Sequence, residues 1–473
     1  MASPTQETAF SLFDNRPVAP IQWRVLGLCA LCMVIDGFDV QAMAYAAPAL
    51  IKAWGANRSV LGPVFGAGLL GMFVGSLVLA GFADKIGRRP MLIAATAWVA
   101  LCMTVTPFAS SIGQLIGIRF AAGIGMGAIV PNAMALAGEY SPARIRVSLM
   151  MAVSSGYILG GVLGGGIAAV VIAPFGWGGV FYAGTLLTAL LSLSMFSALP
   201  ESLQFCLLRH PGTPRTLLLL HRLAPDAAMP VSPSANKPLK GNALAMLLGE
   251  GRRIVTPLLW VANFANMLCA YFLAAWIPVL MSGSGYSSNK AVLAGTALWL
   301  GGLVGNFVLG TLIDRRGFAV VLLINFALGG LSTVGISYFH ALPQAAVVCI
   351  ALAGFCILGG QSGLNALAVT IYPTTTRATG AGWALGLGRL GAVLGPVAGG
   401  QLMGMAWSID QTLLVSAVPT VVAALAVGGL GRIQARRAQP PHASERKFTV
   451  EHDTSIPSDK NAQDLLAAHS HAI

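Results

Sequence analysis

The chain reads as a succession of apolar blocks, each about twenty residues long and separated by short polar breaks. About twenty apolar residues in a helix cross the hydrocarbon core of a bilayer. The pattern predicts an all-α integral membrane protein with twelve spanning helices, at 24–48, 60–82, 90–109, 113–137, 147–172, 179–199, 254–280, 290–312, 318–339, 345–369, 380–404 and 409–430. One long break divides them six and six. Residues 200–253 are rich in proline and basic side chains and predict a linker, with a short amphipathic helix around Thr216 to Leu223. The expected organisation is a polar N-terminal segment 1–23, a bundle 24–199, the linker 200–253, a bundle 254–430 and a polar tail 431–473 expected to be disordered.

Composition narrows the setting. Hydrophobic residues make up 56% of the chain and charged residues 9%, against about 25% charged in a soluble domain. The first twenty residues are polar and lack an apolar h-region, so a cleavable signal peptide is not expected. A net charge of +12 would suit a nucleic-acid binder, but its distribution argues against one. Of the 28 Lys and Arg, all but Lys52, Arg58, Lys290, Arg119 and Arg389 fall on the side of the chain termini when the spans are threaded. That is the positive-inside pattern, which predicts cytoplasmic termini in a bacterial inner membrane. Seven scattered cysteines, most inside spans, indicate neither a disulfide framework nor a metal site. The pair Cys29 and Cys32 reads as small apolar residues. No nucleophile–base cluster stands out, so an enzyme is not expected.

The halves echo each other. AGFADKIGRRP (80–90) corresponds to GTLIDRRGF (310–318), PNAMALAGEYSPARIR (131–146) to LNALAVTIYPTTTRATG (364–380), and GYILGGVLGG (156–165) to GAVLGPVAGG (391–400). A parallel six-plus-six repeat is an architecture in which two bundles rock about a central site. With these motifs the chain resembles the major facilitator superfamily over nearly its whole length. Asp84, Gly87, Arg88 and Arg89 match the G-x-x-x-D-x-x-G-R-R/K loop, with Ala80 in the place of the first glycine. Arg119, Gly123, Gly125 and Gly127 match R-x-x-x-G-x-G-x-G; Pro200-Glu201-Ser202 is followed by Gln204 where Arg is common.

Asp36-Gly37-Phe38-Asp39, Ala47-Pro48 and the segment 372–389 further resemble the aromatic acid/proton symporters. The resemblance implies uptake of benzoate, a hydroxybenzoate, protocatechuate or gentisate, driven by the proton gradient with no cofactor, by a monomer. It implies a gating latch at Asp84, Gly87, Arg88 and Arg89, with Asp314 in the degraded counterpart. Gly161 stands where drug/proton antiporters carry proline in their fifth span, which lowers an efflux reading. The same frame would also serve import of a non-aromatic carboxylate, or chemoreception of aromatic acids.

Four ionisable groups lie inside spans. An ionised side chain at mid-bilayer costs roughly 2.5–3.5 kcal/mol, so such groups are functional by default. Asp36 and Asp39 share one helix face. At about 1.5 Å per residue across a core of about 30 Å, they lie roughly 18 and 22 Å from the terminal side, Arg119 about 21 Å and Arg389 about 14 Å. Asp36 or Asp39 is the expected proton carrier, with Arg119 as the partner that switches. Arg389 is the expected ligand of the substrate carboxylate, which a guanidinium matches bidentately. A static salt-bridge network would use the same four charges without transport. For the ring, Phe38 and Trp383 rank first among aromatic candidates that include Tyr45, Tyr271, Trp276 and Trp299. Asn132, Asn263, Asn266, Asn306, Gln361 and Asn365 are candidates to bond ring hydroxyls. His340 is expected to be a surface residue.

Overall fold

A computed structural model describes residues 17–209, 212–223, 247–249, 252–372 and 376–438, without the side chains of 80, 81, 84, 215, 377, 378 and 435–438. Residues up to Ile433 form one compact unit, and Gln434 onward a second, of which only 434–438 are described, as helix. Among the described residues there are helices and no strand. They run α1 (Pro20–Trp54), α2 (Leu61–Val78), α3 (Ala80–Ile86), α4 (Arg88–Val105), α5 (Ile112–Glu139), α6 (Arg146–Phe175) and α7 (Gly178–Ala198), then the linker helices α8 (Leu203–Arg209) and α9 (Pro214–Leu223). The second bundle comprises α10 (Val255–Gly283), α11 (Ser288–Arg316), α12 (Phe318–Phe339), α13 (Pro343–Ile371), α14 (Arg377–Gly404), α15 (Ile409–Ser416) and α16 (Val418–Ala438).

Among the described residues, twelve stretches are long and apolar enough to span a bilayer. Large apolar side chains such as Leu193, Leu331 and Leu425 are two-thirds or more exposed on the outside. In water such patches would drive association; in lipid they are the contact surface, so the protein is a multi-pass membrane protein. Two boundaries differ from expectation. The second span ends at Val78, and the motif after it forms a separate helical turn, α3. The last span breaks after Ser416, because Pro419 lacks an N–H and its ring clashes with the carbonyl one turn back. Residues 1–16 and 439–473, most of the expected terminal segments, lie outside the described residues.

The internal repeat governs the packing. In the first bundle α2 packs on α5, α1 on α6 and α4 on α5; in the second, α11 packs on α13, α10 on α14 and α12 on α13. Close crossings are made by glycine: a Cβ at Gly123 would strike the Gly68 carbonyl and Gly71 backbone, so α2 and α5 meet backbone to backbone. Gly87 and Gly317, each three residues after the repeated aspartate, have φ of +103° and +81°, a conformation glycine tolerates.

The bundles meet unevenly. α6 faces α11, α2 faces α14 and α1 faces α10. Several close approaches lie away from the linker: Gly62 against Gly400, Gly66 against Val397, and Gly165 against Thr296. The buried apolar core is correspondingly split. One body joins the first bundle to the far half of the second, through Trp276, Trp299 and Ile357. The other, with Leu259, Leu309, Leu322 and Leu430, fills the linker-side half of the second bundle alone. Among the described residues the bundles are thus held together chiefly on the far side, with one hydrogen bond nearer the linker, from Asn306 Nδ2 to Ser155 Oγ at 2.9 Å.

Candidate functional site

The charged residues inside the spans converge at mid-membrane. Asp39 and Arg119 are buried and form a bidentate pair: Arg119 Nη1 donates to Oδ1 at 2.9 Å and Nη2 to Oδ2 at 3.0 Å, with a third bond to the Asp39 carbonyl at 3.1 Å. Fork-to-fork geometry of this kind is the strong form of ion pair. Asp36, one turn earlier on α1, is fully buried, and neither carboxylate oxygen has a hydrogen-bond partner. It lies within reach of the charges of Asp39 and Arg389. Arg389 on α14 is half-buried; among the described residues it has no hydrogen-bond or ion-pair partner. Four charges therefore form one pair and two unattached members of opposite sign.

Local sequence explains the divergence of the two acids. A Cβ at Gly37 would meet the Tyr157 backbone, so α6 approaches α1 between them. Phe38 is buried, its ring filling a slot beside Gly164 of α6 and Gly184 of α7. The string Asp36-Gly37-Phe38-Asp39 thus anchors α1 in its own bundle while holding one acid on Arg119 and the other toward the bundle boundary. Beside the pair is a cavity of about 30 Å³, lined by Gln41, Phe65, Arg119, Met126, Tyr271 and Pro396 among others. That is room for water rather than for an aromatic acid, since small-ligand sites take about 300–1,000 Å³.

The second bundle contributes a chain of amides. Gln361 Nε2 donates to Asn263 Oδ1 and to Asn365 Oδ1, both at 3.0 Å, while its Oε1 accepts from Asn266 Nδ2 at 2.8 Å. Asn266 Oδ1 is buried without a partner. A Cβ at Gly388, next to Arg389, would touch Asn263, so the amide chain adjoins the arginine's helix. The other candidates are placed differently. Trp276 is fully buried and spends its N–H on the Pro396 carbonyl at 3.0 Å, tying α10 to α14. Asn132 bonds the Ala128 carbonyl one turn back at 2.7 Å. Trp383 is 42% exposed and stacked on Trp260, ring centroids 5.7 Å apart.

On the linker side, Glu201 Oε1 accepts from the backbone N–H of Arg88 and Arg89, at 2.9 and 3.1 Å, capping α4. Arg88 pairs with Glu139, which also accepts from the Ser202 hydroxyl. Arg89 donates to the Phe196 carbonyl at 2.6 Å. These contacts of Arg88 and Arg89 join the first bundle to the start of the linker. The Asp84 side chain lies outside the described residues; Asp314 is exposed and, among the described residues, without a partner. His340 is half-buried, its Nδ1 3.0 Å from Asp410.

Sequence reasoning did not single out Gln41, Tyr157 or Glu139. Gln41 donates to the Ala274 carbonyl across the bundle boundary at 2.7 Å, and an amide five residues after Asp36 in an apolar helix was its signal. Glu139 ends the motif helix α5 opposite a basic loop. Tyr157 offered only a hydroxyl among glycines.

Comparison with known proteins fits this geometry. The model of the major facilitator superfamily matches residues 29–346 and 259–461. The chain belongs to the major facilitator superfamily. It is therefore a transporter by family and not an enzyme. It is 34% identical to the 4-hydroxybenzoate transporter PcaK of Pseudomonas aeruginosa, over 88% of this chain and 94% of that protein. It is 35% identical to the gallate transporter of Pseudomonas putida, over 89% and 95%. The benzoate transport protein of Acinetobacter baylyi is 28% identical, over 88% and 91%. Among solved structures, a bacterial homologue of the human lysosomal transporter Spinster, inward-facing and unoccupied, superposes with a TM-score of 0.68 at 15% identity, covering 89% of this chain and 99% of that one. That likeness establishes the fold.

Proposed function

We propose that the protein is a proton-coupled symporter that brings an aromatic carboxylate into a bacterial cell through the inner membrane. The single observation that carries the coupling is Asp36: buried, with no partner on either oxygen, beside a pair that is already satisfied and an arginine that is not. A buried carboxylate without partners is costly as an anion and far cheaper as an acid. In this reading Asp36 carries the proton, and Arg119 gives Asp39 a fixed counter-charge. Arg389 takes the substrate carboxylate, and the half-buried amides Gln361 and Asn365 take ring hydroxyls from the linker-side opening. Loss of the proton frees Asp36 to compete with the substrate for Arg389, which expels the substrate.

Positive-inside charge puts the linker side in the cytoplasm, so the described state is open inward. The relatives named for hydroxybenzoate, gallate and benzoate support an aromatic acid. Bringing one anion in against about 100 mV costs roughly 2.3 kcal/mol, which one accompanying proton cancels. All the groups invoked belong to one chain, so a monomer suffices. The test is uptake of labelled 4-hydroxybenzoate and benzoate by cells at two external pH values, with and without a protonophore. Accumulation should rise at the lower pH and collapse with the protonophore. Accumulation indifferent to both would remove the coupling, and outward pumping would favour efflux.

A further inference from the structure

Among the contacts between the bundles is one between two phenols. Tyr157 on α6 and Tyr271 on α10 meet hydroxyl to hydroxyl at 2.8 Å. Tyr157 also packs edge-on against Trp299 of α11, ring centroids 5.8 Å apart, so a residue of the first bundle is held by two helices of the second. Both phenols lie within reach of the charges of Asp36 and Arg389. Tyr271 also lines the space beside Arg119.

Donor accounting gives the pair a second use. Two phenols supply two O–H donors, and their mutual bond consumes one. Among the described residues neither hydroxyl has another partner, so one O–H remains to be donated. It lies in the same group as Arg389, which is also without a partner. A phenol O–H and a guanidinium are complementary to one carboxylate, and bonds to an ionised acceptor are about twice as strong as neutral ones.

We propose that the Tyr157–Tyr271 pair completes the substrate's carboxylate site and is also the latch that holds the far side shut. This rests on Arg389 as the carboxylate ligand, proposed above. The hydroxyls meet only while the two bundles are close at this level. An anion held by Arg389 and the spare O–H therefore binds more tightly when the far side is closed, and closure is in turn favoured by the anion, as linkage requires. The geometry ties occupancy of the site to the position of the two bundles without any contact at the loops.

A cross-link reads the latch directly. A Cβ at Gly404 would lie 3.5 Å from the Ser59 Cβ on the far side, within the separation of about 3.5–4.5 Å that a disulfide spans. The pair Ser59→Cys with Gly404→Cys, in membranes under mild oxidant, should cross-link quickly, and faster with added 4-hydroxybenzoate; each single substitution is the control. Tyr157→Phe or Tyr271→Phe should slow cross-linking by about twofold to tenfold, the worth of one neutral hydrogen bond, and abolish the response to the acid. Tyr182→Phe, at an exposed position, should change neither. Unchanged cross-linking in both variants would overturn the latch and leave the reading of Arg389 standing. If the variants open the far side but Arg389→Lys binds the labelled acid as tightly as the parent, the carboxylate site is overturned and with it that part of the proposed function.

Discussion

Asp36 and Asp39 are chemically identical, one turn apart, and have opposite surroundings. Asp39 is held by three hydrogen bonds from Arg119, whereas Asp36 has none. Their substitutions should therefore fail differently. Asp39→Asn leaves the buried Arg119 uncompensated, which costs about 3–5 kcal/mol; folded protein recovered in detergent should fall sharply and return in part when Arg119→Gln is added. Asp36→Asn resembles the neutral acid and should express normally. It should lose accumulation against a gradient yet keep exchange of labelled for unlabelled substrate. Arg389→Lys should raise KM for uptake about tenfold or more, since a point charge replaces a planar fork, with membrane protein levels unchanged.

At this scale the sequence exposed whatever contrasts with its neighbours. Four charges in apolar helices could be found by cost alone. Tyr157 could not, because a tyrosine in an apolar run reads as core, and its partner lies 114 residues away. Phe38 illustrates the converse. It sits between two informative acids, and the structure places it in helix-to-helix packing.

Among elements, the helices follow from apolar block length, and their ends from proline and glycine. Which helices meet was written only faintly, in the repeat and in the spacing of glycines. The crossing of α2 and α5 shows why those glycines are there. Gly123→Leu would drive a side chain into the Gly68 and Gly71 backbone, which rigid helices cannot relieve; size-exclusion profiles should show loss of the monodisperse peak. Gly166→Ala, where a Cβ meets nothing within 4 Å, should leave the profile unchanged. The two substitutions separate crowding from helix propensity, which favours both leucine and alanine over glycine.

Across the whole molecule, the close contacts between the two bundles concentrate on the far side, and the charged groups lie near mid-depth, with Asn306 bonded to Ser155 across the boundary at 2.9 Å. That position is the one the proposed symport requires, with one site reached from either side in turn. The split of the apolar core was invisible in the sequence, since it reflects a conformational state rather than a fold. What the sequence did carry was the duplicated frame and the positive-inside charge, on which the proposed cytoplasmic orientation of the linker side rests.

The proposed coupling turns on Asp36, which would carry the proton that enters with the aromatic acid. The direct measurement is proton movement in proteoliposomes containing the purified protein, followed with an external pH electrode after adding 4-hydroxybenzoate in weak buffer. The parent protein should alkalinise the medium in step with uptake of the labelled acid. Asp36→Asn should give no alkalinisation while still exchanging labelled for unlabelled acid. Substrate-dependent alkalinisation of equal size in Asp36→Asn would contradict the account.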